Sequence, residues 1–165
     1  MTLPTGYTLR RALPADAALI QAQRDAMFTD MGAEQAGLGR AHSGSLVWHR
    51  RMLESGSYTG FLLEYAGEVV AGAGLLWQDL PPNPDTTLSQ RAYVMNVYVQ
   101  PQHRGKALAR HLMDAVLDEC KARGIRIVTL TASDAGRPTY ERMGFRPQAE
   151  LKLLLEDVQV QEGKP

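Results

Sequence analysis

The chain has a single cysteine, Cys120, among its 165 residues, so no disulfide closes within it and oxidative cross-linking plays no part in the fold. Long hydrophobic runs are missing too. The longest, Val69 to Trp77, is interrupted by Gly72 and Gly74 and falls far short of the roughly 20 residues that a membrane-spanning helix needs. Net charge is absent, because Lys+Arg and Asp+Glu both number 18, which removes the bulk attraction toward nucleic acid or an anionic membrane. One local basic patch around Arg104 survives that averaging and is too short for a nucleic-acid footprint. The stretch from Met1 to Gly6 has neither a basic segment nor a following apolar run, so it does not read as a secretory signal, and the cytoplasm is the expected compartment. His42, His49, His103 and His111 lack close metal-ligand spacing, and no metal is expected. No internal repeat and no low-complexity block interrupts the chain.

What is present reads as an ordinary globular protein. Hydrophobic residues make up 44% and charged residues 22%, and the length suits one domain, 1–165, with 161–165 as a flexible polar tail. Tyr7 to Arg11 reads as a first strand; Pro14 and Asp16 then open a helix running to about Phe28. Met31 to Gly44, rich in glycine, is either a loop or the frayed start of a second helix through Leu46, Val47 and Leu53. Phe61 to Tyr65 and Val69 to Trp77 flank Ala66-Gly67-Glu68 as an antiparallel hairpin. Leu80 to Gln90, with its prolines, is a loop. Arg91 to Val99 is a strand, Leu108, Leu112, Val116 and Cys120 mark the apolar row of a helix ended by Gly124, and Ile125 to Leu130 is a further strand. Pro138 to Met143 makes a short helix before Gly144, and Leu151 to Leu155 adds a last strand.

The most informative stretch is Met95 to Arg110, where a β-branched strand meets Pro101, then a basic glycine loop, then a helix start. Backbone N–H groups at a helix N-terminus have no intrahelical partner, and the helix dipole adds positive potential there, so the junction suits a phosphate-bearing cofactor. Arg104 and Lys106 add formal charge. Gly105, Ala107 and Ala109 are small enough to let a pyrophosphate approach the main chain. Gly72-Ala73-Gly74 does not carry the same meaning: it lies inside a strand rather than opening a helix, and reads as a bulge or a close approach of ligand.

This junction resembles the acetyl-CoA-binding motif of the GCN5-related N-acetyltransferase (GNAT) family, Gln/Arg-x-x-Gly-x-Gly/Ala. Two registers fit, Gln102-x-x-Gly105-x-Ala107 and Arg104-x-x-Ala107-x-Ala109; Val99, Gln100 and Pro101 favour the second, with Ala107 in place of the usual glycine. The resemblance implies a mixed α/β fold: a mostly antiparallel sheet of about six to seven strands, splayed between the fourth and fifth, with helices on both faces. It implies acetyl-CoA as cosubstrate, held by Arg104, Gly105, Lys106, Ala107, Leu108, Ala109 and Arg110, and by the backbone of Val97, Tyr98 and Val99, where unpaired strand groups take the pantetheine arm. An N–H on that strand also faces the thioester oxygen.

The same resemblance extends to Thr131-Ala132-Ser133 and Tyr140-Glu141-Arg142-Met143-Gly144-Phe145. It makes Tyr140 the catalytic residue that meets the departing thiolate. Unshifted acidities of ~10 for phenol and ~8.5 for thiol make full proton transfer uphill by about 2 kcal/mol, so the role is a hydrogen bond. Ser133 stands where the family often has a cofactor-touching asparagine. Asp30, Glu34, Asp79, Asp85 and Tyr98 are the candidates for deprotonating the amine, and Ala26 to Gly32 is similar to the first-helix exit beside the family's acceptor pocket. The implied activity is direct acetyl transfer to a primary amine of a small molecule, peptide or protein; a non-catalytic acyl-CoA-binding or sensing module is the competing reading. The resemblance leaves room for a homodimer and gives no reason to expect a nucleic-acid or membrane partner.

Overall fold

The computed structural model describes residues 2–152, in which five strands form one sheet: β1 (Tyr7–Arg11), β2 (Tyr58–Tyr65), β3 (Glu68–Asp79), β4 (Gln90–Val99) and β5 (Val128–Leu130). The strands lie in sequence order. All neighbours run antiparallel except β4 and β5, which are parallel and therefore need a crossover helix between them. Ala66 and Gly67, with φ of 51° and 83°, supply the left-handed pair that a tight hairpin turn requires between β2 and β3.

The described residues hold four α-helices: α1 (Ala17–Asp30), α2 (Gln35–Glu54), α3 (Leu108–Ala122) and α4 (Arg137–Arg142). Ile20 of α1 packs with Tyr58 and Leu62 of β2, and Leu19, Trp48, Met52, Leu53 and Met95 close around them. From the other face, α3 crosses β2, β3 and β4 and buries Leu108, Leu112, Met113, Val116 and Cys120. No described helix is long and apolar enough to cross a membrane.

Most expected elements are where periodicity places them, and the ambiguous stretch before Leu46 is helical from Gln35. Two expected strands differ. Ile125 to Leu130 shrinks to Val128–Leu130, because Gly124 (φ 69°) and Ile125 complete the cap of α3: their N–H groups donate to Lys121 and Cys120 carbonyls at 2.9 Å, a helix-ending arrangement that uses the Ile125 amide and buries its side chain. Leu151 and Lys152 belong to no strand; residues 153–155 of that expected strand, and the 161–165 tail, lie outside the described residues. The sheet therefore has five strands in the described region, against the six to seven expected.

The described residues separate into two units, one through Ser133 and one from Asp134. The second contains α4, which ends as α3 does. Gly144 takes φ 95°, Phe145 donates to the Tyr140 carbonyl at 3.1 Å, and the two rings meet edge to face at 6.0 Å, the apolar contact that accompanies this cap.

Candidate active site

The loop between β4 and α3 builds its cradle from the backbone. Pro101–His103 form a 3-10 turn, Gly105 has φ 78°, and Ala107, the residue capping α3, has φ 57°. Among the described residues, the N–H groups of Gly105, Lys106, Ala107, Leu108 and Ala109 have no backbone acceptor. These successive donors at a 15-residue helix suit an anion. A Cβ on Gly105 meets nothing within 4 Å, so the space above it is open, and the site fits the phosphate-bearing group that the sequence implies.

The loop cations have partners of their own. Arg104 donates through Nε to the Val99 carbonyl at 3.0 Å and through Nη2 to the Asp30 carboxylate, 5.9 Å from the Tyr98 ring. Lys106 donates to the Tyr7 hydroxyl at 3.1 Å and lies 5.7 and 5.9 Å from the Tyr7 and Tyr65 rings. That hydroxyl also bonds His103 Nδ1 at 2.7 Å, placing His103 on the loop's rim. Arg110 pairs with Asp114 at 2.8 Å. The backbone is thus the open part of the cradle, and the side chains are pre-positioned around it.

Upstream, β4 outlasts its parallel neighbour. Ala92, Tyr93 and Val94 pair with Val128, Thr129 and Leu130, and β4 then continues through Met95, Asn96, Val97, Tyr98 and Val99 with no β5 partner. The strands part after Val94, so the edge from Met95 onward is open to a ligand that binds as a strand does. On its other edge β4 bulges against β3 between Gly72 and Gly74. The extra residue belongs to β4, where Asn96 and Val97 stand against Ala73 alone, so the Gly72-Ala73-Gly74 run faces the bulge and is not one itself, and the groups that approach it are protein groups: a Cβ on Gly74 would lie 1.8 Å from the Tyr58 hydroxyl, and one on Gly72 2.5 Å from Gln23 Oε1.

Asn96 sits in this bulge with φ 57° and is held from three sides. Arg24 Nη1 donates to its Oδ1 at 2.6 Å, and its Nδ2 donates to His49 Nε2 at 2.9 Å and to the Tyr58 hydroxyl at 3.1 Å. Because a guanidinium only donates, the amide orientation follows: oxygen to Arg24, nitrogen to His49 and Tyr58. His49 then accepts at Nε2 and donates from Nδ1 to the Ser45 carbonyl at 2.8 Å, a neutral imidazole. Burial lowers its pKa, and the same cause pushes Tyr58 up to about 12. Sequence reading missed all of Arg24, His49, Tyr58 and Asn96. The one available signal was Asn96 itself, an amide in an otherwise apolar strand, which is costly to bury without partners.

The remaining expected residues divide. Tyr98 and Val99 pair across β3 with Gly72 and Ala71, Ser133 closes the first unit, and Tyr140 belongs to the second, where partial burial raises its phenol pKa. Of the candidate bases only Asp30 and Tyr98 come together, both against Arg104. Asp30 is bound to Arg104, Glu34 stands at the N-cap position of α2 without a side-chain cap bond, Asp85 lies in the β3–β4 loop, and Asp79 pairs with Gln90 at the far end of β4, roughly 30 Å along that strand from Val99. Cys120 is buried on α3, with its thiol pushed up to about 11 by burial.

Residues 27–153 match the acetyltransferase (GNAT) domain family. A GCN5-related N-acetyltransferase from Ralstonia eutropha JMP134 superposes with a TM-score of 0.89 at 33% identity, covering 92% of this chain and 99% of that one. A predicted acetyltransferase from Clostridium acetobutylicum, solved with acetyl-CoA, superposes with a TM-score of 0.85 at 25% identity, covering 93% and 99%. The glucosamine 6-phosphate N-acetyltransferase of Trypanosoma brucei brucei is 31% identical over 88 residues. That match spans only 52% of this chain and 56% of the trypanosomal protein.

Proposed function

The chain belongs to the acetyltransferase (GNAT) domain family, and from that premise we propose that it transfers acetyl from acetyl-CoA directly to a primary amine, without a covalent enzyme intermediate. The observation that carries this reading is the parting of β4 from β5 after Val94, on the strand that leads into the row of open N–H groups from Gly105 to Ala109. Extended backbone leading into an anion cradle matches a ligand with an amide-bearing arm and a pyrophosphate.

In this reading Gly105, Lys106, Ala107, Leu108 and Ala109 hold the pyrophosphate through their main chain, and Arg104 and Arg110 add charge at its edge. Val97, Tyr98 and Val99 bind the pantetheine arm through their backbone, and the strand's N–H groups polarise the thioester carbonyl as negative charge develops on its oxygen. Ser133 contributes a hydroxyl contact. Tyr140 donates a hydrogen bond to the thiolate as the carbon–sulfur bond breaks; its raised pKa suits a donor that keeps its proton. The family match runs across the boundary at Ser133, which supports treating both units as parts of one domain, 1–165. The trypanosomal relative brings amino-sugar phosphates into the range of acceptors, beside peptide and protein amines.

Calorimetry with acetyl-CoA, CoA and ATP, run beside a panel of amines with thiol-release detection, tests the reading. Acetyl-CoA binding with amine-dependent thiol release is the expected result. Binding without release for any amine makes the chain an acyl-CoA-binding module, and a preference for ATP overturns the assignment.

A further inference from the structure

Beside the parting of β4 and β5 lies a cleft of about 410 Å³ lined by Arg24, Gly44, Ser45, Trp48, His49 and Met95. Its position is informative. Met95 is the first β4 residue beyond the last pair with β5, so the cleft opens where the strand edge becomes free, and α1 and α2 supply its other walls. The volume is that of a small-molecule site. Trp48 and Met95 give apolar surface, and Arg24 gives the charge.

Arg24 differs from the other arginines near the site. Arg104 and Arg110 each pair with a carboxylate, as do Arg10, Arg11 and Arg123, whereas among the described residues Arg24 has no ion-pair partner. It is fixed instead by neutral groups, the Asn96 amide oxygen at 2.6 Å and the face of Phe28 at 4.7 Å. The adjacent Asp25 is already bonded by His42 at 2.6 Å and Gln21 at 2.8 Å. Asp25 acts on Arg24 through space without pairing with it, and burial outweighs that attraction; a guanidinium withdrawn from water with no carboxylate in contact is costly, and the cost falls when an anion arrives. Of its five N–H donors, Asn96 uses one; the rest of the planar fork suits a carboxylate or phosphate.

We propose that this cleft receives an amine whose skeleton carries an oxyanion, and that Arg24 is the specificity-determining residue that binds the oxyanion. The proposal rests on the acetyl-transfer reading above and names the acceptor class of that site. Asn96 joins the two functions: it shapes the bulge in β4 and fixes the guanidinium at the cleft wall.

Two matched pairs test it: phenylalanine against phenylalaninamide for a carboxylate, and phosphoethanolamine against ethanolamine for a phosphate. Each is measured by thiol release and by calorimetry without acetyl-CoA, in wild type, Arg24→Gln and Arg24→Lys. In wild type the oxyanion-bearing member of at least one pair should be preferred by about tenfold or more in kcat/KM, as expected for a charge-assisted contact; the pair that shows it identifies the anion. Arg24→Gln keeps a donor for Asn96 and loses the charge, so the preference should fall to within about twofold, while Arg24→Lys retains part of it. Equal use of the members with and without the oxyanion, or a preference that persists in Arg24→Gln, overturns the proposal. Failure of the acetyl-transfer reading looks different: acetyl-CoA does not bind or thiol release ignores amines. Calorimetry then still decides the site, since oxyanion-bearing amines should bind wild type and not Arg24→Gln, and absence of that difference is equally fatal.

Discussion

Arg104, at the entrance to the α3 cradle, bonds the carboxylate of Asp30 at the end of α1, 74 positions earlier in the chain. Both side chains are partly exposed, so the pair adds little to stability, about 0 to 1 kcal/mol. Its consequence lies in competition. A phosphate approaching the open N–H groups must share Arg104 with Asp30 or displace it.

Asp30→Asn removes the competitor and leaves the Arg104 Nε bond to the Val99 carbonyl. Acetyl-CoA affinity should rise by about two- to fivefold, the equivalent of a surface ion pair, with a steeper dependence on salt. Arg104→Glu should weaken binding, with the fold intact by circular dichroism. Unchanged affinity in Arg104→Glu removes the guanidinium from the cofactor site.

Ala107 occupies left-handed backbone, φ 57° and ψ 19°, a conformation that costs a residue with a Cβ about 1 kcal/mol. Ala107→Gly should hold or raise the melting temperature and hold or improve acetyl-CoA affinity. Gly105→Val should do the reverse. Nothing lies within 4 Å of a Cβ there, so its damage is conformational, from a β-branched residue forced to φ 78°. A large affinity loss in Ala107→Gly would show that the cradle is arranged differently.

The elements of this fold were legible because they obey simple periods: the apolar row of α3, the hairpin turn at Ala66 and Gly67, the cradle with its small and basic residues. The splay was expected only through family resemblance, since it depends on β5 stopping at Leu130 while β4 continues to Val99. Such an inequality leaves no local pattern. The network of Arg24, His49, Tyr58 and Asn96 is hidden for a related reason: its members come from α1, α2, β2 and β4, and apart from Asn96, an amide among apolar strand residues, each alone reads as an ordinary surface or core residue. The partners of Arg104 and Lys106 were equally hidden, so the loop read as more freely cationic than it is.

His49 gives the protein a pH dependence with a definite sign. Burial lowers its pKa in the folded chain below the ordinary value of 6.5. Above about pH 6.5 the imidazole is neutral in both states and nothing is lost. As pH falls below that, the unfolded chain takes a proton that the folded chain refuses, and stability declines until the folded pKa is passed. Asp16, held low by Arg10, and Glu119, where burial acts upward but Arg11 and Arg123 outweigh it, add their losses only at lower pH. Urea midpoints at pH 7.5 and 5.5 should differ in wild type and converge in His49→Gln; an equal drop in both proteins assigns the loss to other groups.

Cys120 is structural. It lies on the buried row with Leu108, Leu112 and Val116, and its thiol is pushed up to about 11, so almost no thiolate exists at neutral pH. Cys120→Ala should cost about 1 to 2 kcal/mol of stability and leave turnover nearly intact, and thiol reagents should label the native protein slowly. Trapping an acetylated Cys120 during turnover would overturn direct transfer.

Tyr140 is assigned its role by its place in the family motif, and its hydroxyl can be tested alone. The ring packs edge to face on Phe145, and Tyr140→Phe preserves that contact and the cap of α4. An interaction made only as the thiolate forms should, when removed, lower turnover while leaving acetyl-CoA binding nearly unchanged. The expected loss is about 10- to 100-fold in kcat, the effect of one hydrogen bond to a charged atom worth roughly 1.5 to 3 kcal/mol. A phenol whose pKa is raised by burial remains protonated through the neutral range, so the wild-type rate should show no fall attributable to Tyr140 ionisation below its ordinary pKa of ~10. The measurement needs a responsive amine and a chemistry-limited step, established by single-turnover thiol release. Equal rates for Tyr140→Phe and wild type under those conditions reduce Tyr140 to a packing residue and leave the thiolate to solvent.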